Sequence, residues 1–214
     1  MKNIVSVENI SKKYGYQQVL NLVSFDVPAG TICGIVGPNG SGKTVLLRCI
    51  CGITPIDEGK IFVLDSQIGK DCDFAPDTGI LIEGPGFIGA YSGIRNLEYL
   101  MALSRKSSKK DCEAAMRTVG LDPNDKKRVR KYSLGMKQRL GLAQAIMEKP
   151  KLLILDEPFN ALDSKGVEEM RALFLQLKSS GTSFIITSHN PQDIELLCDS
   201  VYRFENGKLH KEKQ

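Results

Sequence analysis

The stretch that decides the fold is Gly37-Pro38-Asn39-Gly40-Ser41-Gly42-Lys43-Thr44. An apolar run at 31–36 precedes it, and residues 45–50 follow it with a helical pattern. Strand, glycine-rich loop and helix in this order, with the spacing GxxxxGK[ST], predict a loop that binds phosphate. Glycines let backbone N–H groups turn toward phosphate oxygens, and the helix N-terminus adds a partial positive charge. The alternative, a glycine-rich turn with a lysine by chance, does not account for the flanking strand and helix.

The last two residues of this loop have defined chemical roles. The ammonium group of Lys43 can reach the β- and γ-phosphates of a nucleotide, and the hydroxyl of Thr44 can ligate Mg²⁺. We therefore expect residues 37–44 to bind a nucleotide with its magnesium ion.

The composition is that of a soluble globular protein of one domain. The chain has 214 residues, 42% hydrophobic and 25% charged, and its formal net charge is +4. No apolar run approaches the roughly 18 residues that span a bilayer, and early charges argue against a signal peptide. The six cysteines lack disulfide or zinc spacing. We expect reduced thiols and a cytoplasmic location.

Strands and helices alternate along most of the sequence. Apolar or alternating patterns predict strands at 3–10, 19–27, 61–64, 78–83, 152–155, 183–187 and 201–204. Helical periodicity predicts helices at 95–103, 109–119, 135–147, 165–179 and 191–198. The alternation indicates an α/β fold with a mostly parallel sheet. We expect an N-terminal antiparallel β part in addition. We expect one domain, 1–214, with a core at 1–87 and 148–214 and an inserted helical subdomain at 88–147.

Two carboxylates directly follow the buried strand predicted at 152–155. Open α/β sheets bind ligands at the carboxyl ends of their strands, so Asp156 and Glu157 are placed for chemistry. Next to a phosphate-binding loop, Asp156 is expected to hold Mg²⁺ and Glu157 to polarise the attacking water as general base. The alternative is a solvated strand end without a function.

A third motif is Tyr132-Ser133-Leu134-Gly135-Met136-Lys137-Gln138-Arg139. Ser133 is a good N-cap for the helix that follows, and a capped helix N-terminus offers free N–H groups to phosphate. The motif resembles the signature of ABC-transporter ATPases, usually Leu-Ser-Gly-Gly-Gln. The resemblance implies that Ser133 and Gly135 bind the γ-phosphate held by the phosphate-binding loop of a partner subunit. Leu134 and Met136 depart from the pattern.

The other motifs of that family occur in order along essentially the whole chain. The resemblance implies that Tyr14 stacks on adenine and that Asp163, in Asn160-Ala161-Leu162-Asp163, belongs to the loop facing the partner's nucleotide. It implies that His189 is the switch histidine and acts in catalysis with Glu157 and Lys43. A lone histidine at a strand end is otherwise more often structural. Glu83 stands where the family usually has glutamine, so it would ligate Mg²⁺ with an added negative charge.

The resemblance also implies partners. Two copies of the chain would close head-to-tail around two ATP–Mg²⁺, and closure with hydrolysis would drive a separate integral membrane permease. The chain would then lie in the cytoplasm at the inner face of the membrane. Residues 81–87 and 132–138 resemble the bacitracin and lantibiotic export or immunity branch, which suggests peptide-antibiotic or drug export.

Other functions are less consistent with the sequence. DNA-repair and chromosome-organising ABC ATPases insert long coiled coils, but only 88 residues (45–132) separate Thr44 from Ser133 here. Ribosome-associated ATP switches usually have two cassettes in one chain, and a small-molecule kinase would not need Ser133. Basic clusters at 105–110 and 126–131 lack interleaved aromatics, so we expect solvated faces and no nucleic-acid partner.

The segment 84–91 is rich in glycine but contains Phe87, Ile88 and Tyr91. Apolar side chains on a mobile linker suggest contact with a partner, and the resemblance implies that this partner is the permease. The alternative is that these side chains pack the helical insertion onto the core.

Overall fold

The computed structural model describes residues 2–84, 86–104 and 107–212. Pro85 of the glycine-rich linker and Arg105 and Lys106 of the first basic cluster lie outside the described residues. The strands are β1 (Asn3–Tyr14), β2 (Gln17–Pro28), β3 (Ile32–Val36), β4 (Glu58–Val63), β5 (Ser66–Gln67), β6 (Thr78–Leu81), β7 (Leu152–Leu155), β8 (Ser183–Thr187), β9 (Ser200–Glu205) and β10 (Lys208–Lys211). The helices are α1 (Lys43–Ile50), α2 (Gly93–Ser104), α3 (Lys109–Thr118), α4 (Leu134–Ile146), α5 (Ser164–Ser179) and α6 (Pro191–Leu197).

A six-stranded sheet forms the centre of the molecule, in the order β10-β9-β3-β8-β7-β6. Neighbouring strands from β9 to β6 pair in parallel, and β10 pairs with β9 antiparallel. Every residue of β7 and β8 is buried. Continuous apolar strands of this kind are expected where helices or a second sheet cover both faces. The predicted mostly parallel sheet is confirmed.

A four-stranded antiparallel sheet, ordered β2-β1-β4-β5, covers one face of the central sheet. Alternate residues of β7 point to opposite sides, so Leu152 and Ile154 join the apolar cluster of the antiparallel sheet and α1. Leu153 and Leu155 join the cluster formed with helices α2 to α5. The central sheet is therefore packed on both faces, as an α/β core requires.

The helices of the segment 88–147 pack on one another and on the edge of the central sheet. Leu97 of α2, Met116 of α3 and Leu140 of α4 are fully buried in one cluster. Helix α4 approaches β6 so closely that a Cβ at Gly79 would lie 2.0 Å from the carbonyl oxygen of Ala145. Glycine at this position therefore permits the contact that seats α4 on the sheet.

Some predicted boundaries are wrong. The strand predicted at 78–83 ends at Leu81, and Glu83 has φ 58°, which is left-handed rather than extended. The short strands β5 and β10 were not predicted, because two residues give no period and Lys208–Lys211 is largely polar. Among the residues that the structure describes, no helix is both long and apolar enough to cross a membrane.

Candidate functional site

Several of the residues that the sequence predicts to bind the nucleotide and act in catalysis lie together at one edge of the central sheet. Strand β8 lies between β3, which leads into the loop at 37–42, and β7, which leads into Asp156 and Glu157. Because these strands are parallel, their carboxyl ends lie side by side, and the loop, the carboxylates and the segment after β8 become neighbours. This edge is where the sequence predicts the nucleotide site.

The loop at 37–42 has a backbone that only glycine adopts readily at key positions. Gly37 has φ 152°, and a Cβ there would lie 2.5 Å from the carbonyl oxygen of Phe204. Gly42 has φ 115°, and a Cβ there would lie 3.0 Å from Val19 Cγ1. Pro38, Asn39 and Gly40 form the exposed side of the loop. The glycine spacing therefore serves the curvature of a loop whose N–H groups surround an anion.

Two polar side chains line the inside of this loop. Lys43, at the start of α1, is buried, and its Nζ donates to the carbonyl oxygens of Gly37 at 2.7 Å and Pro38 at 3.0 Å. Burial lowers the pKa of Lys43, and the charges of the nearby carboxylates oppose this shift. The buried Ser41 Oγ has no hydrogen-bond partner among the residues that the structure describes. A buried hydroxyl and a buried cation in one loop are suited to phosphate oxygens.

Asp156 connects the phosphate-binding loop to strand β8 through two hydrogen bonds. Thr44 Oγ1 donates to Asp156 Oδ2 at 2.7 Å, and Thr187 Oγ1 donates to Asp156 Oδ1 at 2.6 Å. The Thr44 hydroxyl and the Asp156 carboxylate are hard oxygen donors, which Mg²⁺ prefers. In the described ranges no group of three or more His, Cys, Asp or Glu side chains forms a metal cage. The donors therefore fit Mg²⁺ that is also held by nucleotide phosphates and water.

Glu157 directly faces His189. Its Oε1 lies 2.9 Å from His189 Nε2, and this buried oxygen has no hydrogen-bond partner among the described residues. Burial raises the pKa of Glu157 above its ordinary value, and His189 opposes that shift. A largely buried carboxylate next to the phosphate-binding loop is placed to accept a proton from water.

Glu83 is not brought to the magnesium donors by any contact in the described residues. Its Oε2 lies 2.6 Å from Arg48 Nη2 on α1, and its side chain is 57% exposed. Arg48 stands on the helix that begins with Lys43, so Glu83 is close to the site but paired with a cation. Its predicted role as a magnesium ligand remains a proposal.

Tyr14 is at the end of β1, where it pairs with Gln17 of β2, and its side chain lies at the surface. Its side chain is 49% exposed, and Lys12 Nζ lies 5.6 Å from the centre of its ring. Val19, on the neighbouring strand β2, packs next to Gly42. An exposed aromatic ring near the phosphate loop is available to stack on a base.

The signature residues form a second, separate surface. Ser133 is exposed and caps α4, and its Oγ accepts a hydrogen bond from Met136 N at 3.1 Å. Asp163 caps α5, and a Cβ at Gly135 would lie 2.8 Å from the carbonyl oxygen of Ala161. Within the described part of the chain, no hydrogen bond or ion pair joins Ser133 to the loop at 37–44. Ser133 and the loop at 37–44 of one chain are therefore not in direct polar contact in this part of the structure.

Residues 20–160 match the family described as ABC transporter. The chain belongs to the ABC transporter family. It is 41% identical over 206 residues to the uncharacterized ABC transporter ATP-binding protein YybJ of Bacillus subtilis (strain 168), covering 96% of this chain and 94% of that protein. It is 37% identical to the bacitracin transport ATP-binding protein BcrA of Enterococcus faecalis, covering 99% and 70%. It is 32% identical to the lantibiotic transport ATP-binding protein SrtF of Streptococcus pyogenes, covering 99% and 91%.

Solved ABC cassettes have the same fold. A dimeric ATP-binding cassette in a post-hydrolysis state with ADP and Pi superposes with a TM-score of 0.86 at 21% identity, covering 98% of both chains. An ATP-binding subunit of an ABC transporter superposes with a TM-score of 0.87 at 25% identity, covering 98% of this chain and 90% of that one. As an ATP-binding subunit of an ABC transporter, this chain binds and hydrolyses ATP. The transport function predicted over the DNA-repair and ribosomal alternatives is confirmed.

Two residues of this ABC subunit that contact the site were not predicted from the sequence. Thr187, the last residue of β8, also accepts a hydrogen bond from Glu157 N at 2.8 Å. Gln138 Nε2, on α4, donates to the carbonyl oxygens of Glu157 at 3.2 Å and Pro158 at 2.9 Å. The position of Thr187 directly after three apolar residues, at the end of β8, was the one available signal.

Proposed function

We propose that two copies of this chain close around two ATP–Mg²⁺, and that each site pairs the loop of one copy with Ser133 of the other. The observation that carries the proposal is that Ser133 and Leu134, at the N-terminus of α4, are exposed. Among the described residues, no hydrogen bond or ion pair joins Ser133 to the loop at 37–44 of the same chain. A symmetric dimer would complete both sites at once. The dimeric cassettes with the same fold support this arrangement.

Within each closed site, we assign a separate role to each group of residues. The loop N–H groups, Lys43 and Ser41 would hold phosphate oxygens, and Thr44 and Asp156 would hold Mg²⁺. Mg²⁺ bound there would neutralise charge on the phosphates. Glu157 accepts the proton of the attacking water, and His189 orients the Glu157 carboxylate from 2.9 Å. The exposed Ser133 hydroxyl and the free N–H groups of α4 would bind the γ-phosphate from the partner side.

The test of this assignment is the variant Glu157→Gln. It removes the base but keeps the shape, so ATP binding should persist while turnover falls by roughly 10²–10⁴. Unhydrolysed ATP should hold the two copies together, and gel filtration with ATP should show a dimer. Glu168→Gln, on the exposed face of α5, is the matched control and should behave as wild type. Near-normal hydrolysis by Glu157→Gln would overturn the assignment.

We also propose that an integral membrane permease docks beside the helical segment, which brings this cytoplasmic subunit to the inner face of the membrane. A groove of about 750 Å³ lies between β6 and α2. Phe74 and Leu103 line it and are 64% and 68% exposed. Apolar side chains exposed on a concave surface are typical of partner sites. The division into a core (1–87 and 148–214) and a helical subdomain (88–147) belongs to this proposal, because the groove lies at their junction.

Phe87 is less suited to docking than its sequence context predicts. It is only partly exposed and packs against the cluster of helices α2 to α5. Its contacts favour the alternative that it packs the helical segment onto the core. The permease contact is therefore better tested at the groove.

The docking test is Leu103→Asp, which places a charge in the groove without changing the nucleotide residues. We expect ATPase activity of the isolated protein to be unchanged and co-purification with the permease to be lost. Leu175→Asp, at an exposed leucine of α5 (43% exposed), is the matched control and should leave both unchanged. Wild-type permease binding by Leu103→Asp would refute the groove as the docking site.

The relatives support a substrate class for the transporter. Proteins 37% and 32% identical to this chain serve bacitracin and lantibiotic transport. We propose that this subunit powers export of a peptide antibiotic or a similar drug. Cells that express the chain with its permease should tolerate more bacitracin or lantibiotic, and Glu157→Gln should abolish the gain. Equal sensitivity with and without the wild-type pair would reject this substrate class.

A further inference from the structure

Glu157 has a backbone conformation that other side chains must hold. Its φ is 49°, in the left-handed region that residues other than glycine adopt rarely. Such conformations persist where surrounding contacts fix them, and they cluster at functional sites. In this conformation Glu157 Oε1 lies 2.9 Å from His189 Nε2.

One contact fixes the peptide group on the N-terminal side of Glu157. The Thr187 hydroxyl accepts a hydrogen bond from Glu157 N at 2.8 Å and donates to Asp156 Oδ1 at 2.6 Å. Thr187 is fully buried, so water cannot replace either bond. A hydroxyl is the one small group that can donate to a carboxylate and accept from an amide at once.

A second contact fixes the peptide group on the C-terminal side. Gln138 Nε2 donates to the carbonyl oxygens of both Glu157 and Pro158. The Glu157 carbonyl also accepts from Asn160 N at 3.2 Å, which closes a turn after the carboxylate. Gln138 comes from α4 and Thr187 from β8, so two independent elements hold the two sides of one residue.

We propose that Thr187 and Gln138 are positioning residues that clamp Glu157 in its left-handed conformation and so aim its carboxylate at the attacking water. The inference rests on the proposed role of Glu157 as general base. Neither side chain touches the reacting atoms in this account. Gln138 acts through Glu157 and the Pro158 carbonyl beside it, whereas Thr187 holds Glu157 and also donates to Asp156 Oδ1. Loss of the clamp should lower the rate of hydrolysis more than the affinity for ATP.

The cleaner probe is Gln138→Met, because Gln138 does not contact Asp156 or the loop at 37–44. Methionine keeps the length of the side chain and removes the donor. Outer contacts that orient catalytic groups are commonly worth about 10- to 100-fold in activity, so we expect kcat to fall by that factor with the ATP dissociation constant within about twofold. Gln176→Met, at an exposed glutamine of α5, is the matched control and should leave kcat unchanged.

Thr187→Val removes the hydroxyl and keeps the shape, and Thr187→Ser keeps the hydroxyl. We expect a loss of kcat in the valine variant and recovery of most of it in the serine variant. Thermal unfolding of each variant, followed by circular dichroism, reports whether the fold survives. A variant with wild-type unfolding but low kcat supports positioning, whereas equal kcat in the valine and serine variants would overturn the role of Thr187.

The decisive comparison places each change in the Glu157→Gln background. If the clamp acts through Glu157, Gln138→Met should cost no further activity once the carboxylate is absent. An undiminished 10- to 100-fold loss in that background would refute the clamp. If Glu157→Gln itself retains turnover, the proposed base is wrong. If it loses turnover while Gln138→Met does not, only the clamp is wrong.

Discussion

Gly135, in the first turn of α4, packs against the loop at 160–163. The variant Gly135→Ala tests whether this close packing matters for activity. A Cβ at this position would lie 2.8 Å from the backbone oxygen of Ala161, whereas ordinary contact begins at 3.4 Å. The helix and the loop must therefore separate by about 0.6 Å, because a backbone carbonyl cannot rotate away as a side chain does. That separation moves Ser133 and Asp163, both helix N-caps, relative to each other.

The effect on stability should be small, since two terms oppose each other. Overpacking costs about 1–3 kcal/mol, and replacing glycine by alanine in a helix returns up to about 1 kcal/mol. For a chain of this size the net change corresponds to a fall of roughly 0–8 °C in unfolding temperature. The effect on activity should be larger, because misplacement by about 1 Å can cost about 10²-fold in rate. We expect a loss of about tenfold in ATPase activity.

The assay compares ATP turnover at saturating ATP with thermal unfolding and with ATP binding to the monomer. Gly135→Ala should bind ATP normally through the loop at 37–44, unfold within about 8 °C of wild type and turn over slowly. Wild-type turnover would refute the claim that the spacing between Gly135 and Ala161 matters. A much larger fall in unfolding temperature would refute the estimate of the packing cost.

Three further predictions concern the rest of the molecule. Asp193→Ala should lower the unfolding temperature by roughly 6–12 °C. Arg171 is largely buried, and its Nε lies 2.9 Å from Asp193 Oδ1, so loss of this partner should cost about 3 kcal/mol. An unchanged melting curve would contradict this. At pH 8 iodoacetamide should label Cys72 first, because the other cysteines are buried and burial raises the pKa of Cys33 to about 12. Mass spectrometry would identify the labelled residue. Early labelling of Cys33 would contradict the prediction. Phe87→Asp should destabilise the fold by about 1–3 kcal/mol in urea unfolding, since it places a charge against the helical cluster; an unaltered midpoint would instead favour a surface role.

Local patterns account for what the sequence predicts well. The loop at 37–44 needs glycines at fixed positions within eight residues. Its motif can therefore be recognised from the sequence without knowledge of the fold. Asp156 and Glu157 follow a strand apolar on both faces, and parallel strand ends bind ligands by a general rule. The alternation of strands and helices along the chain predicts the mostly parallel sheet, which the structure confirms.

Contacts between distant segments account for what the sequence does not predict. Gln138 lies 19 residues from Glu157 and Thr187 lies 31 residues from Asp156, and only the packing of α4 and β8 brings them together. The ion pair of Glu83 with Arg48 likewise depends on how the chain leaves β6. A single sequence shows which side chains are available but not which distant partners they acquire.

The central claim is that each ATP site is shared between two copies of the chain, and mixing two inactive variants tests it most directly. Lys43→Ala disables the loop of one copy, and Ser133→Arg disables the signature of the other. Each alone should be inactive. Their equimolar mixture should recover about a quarter of wild-type ATPase activity, because half of the dimers are mixed and each has one intact site. Wild-type activity of Ser133→Arg by itself would contradict the shared site.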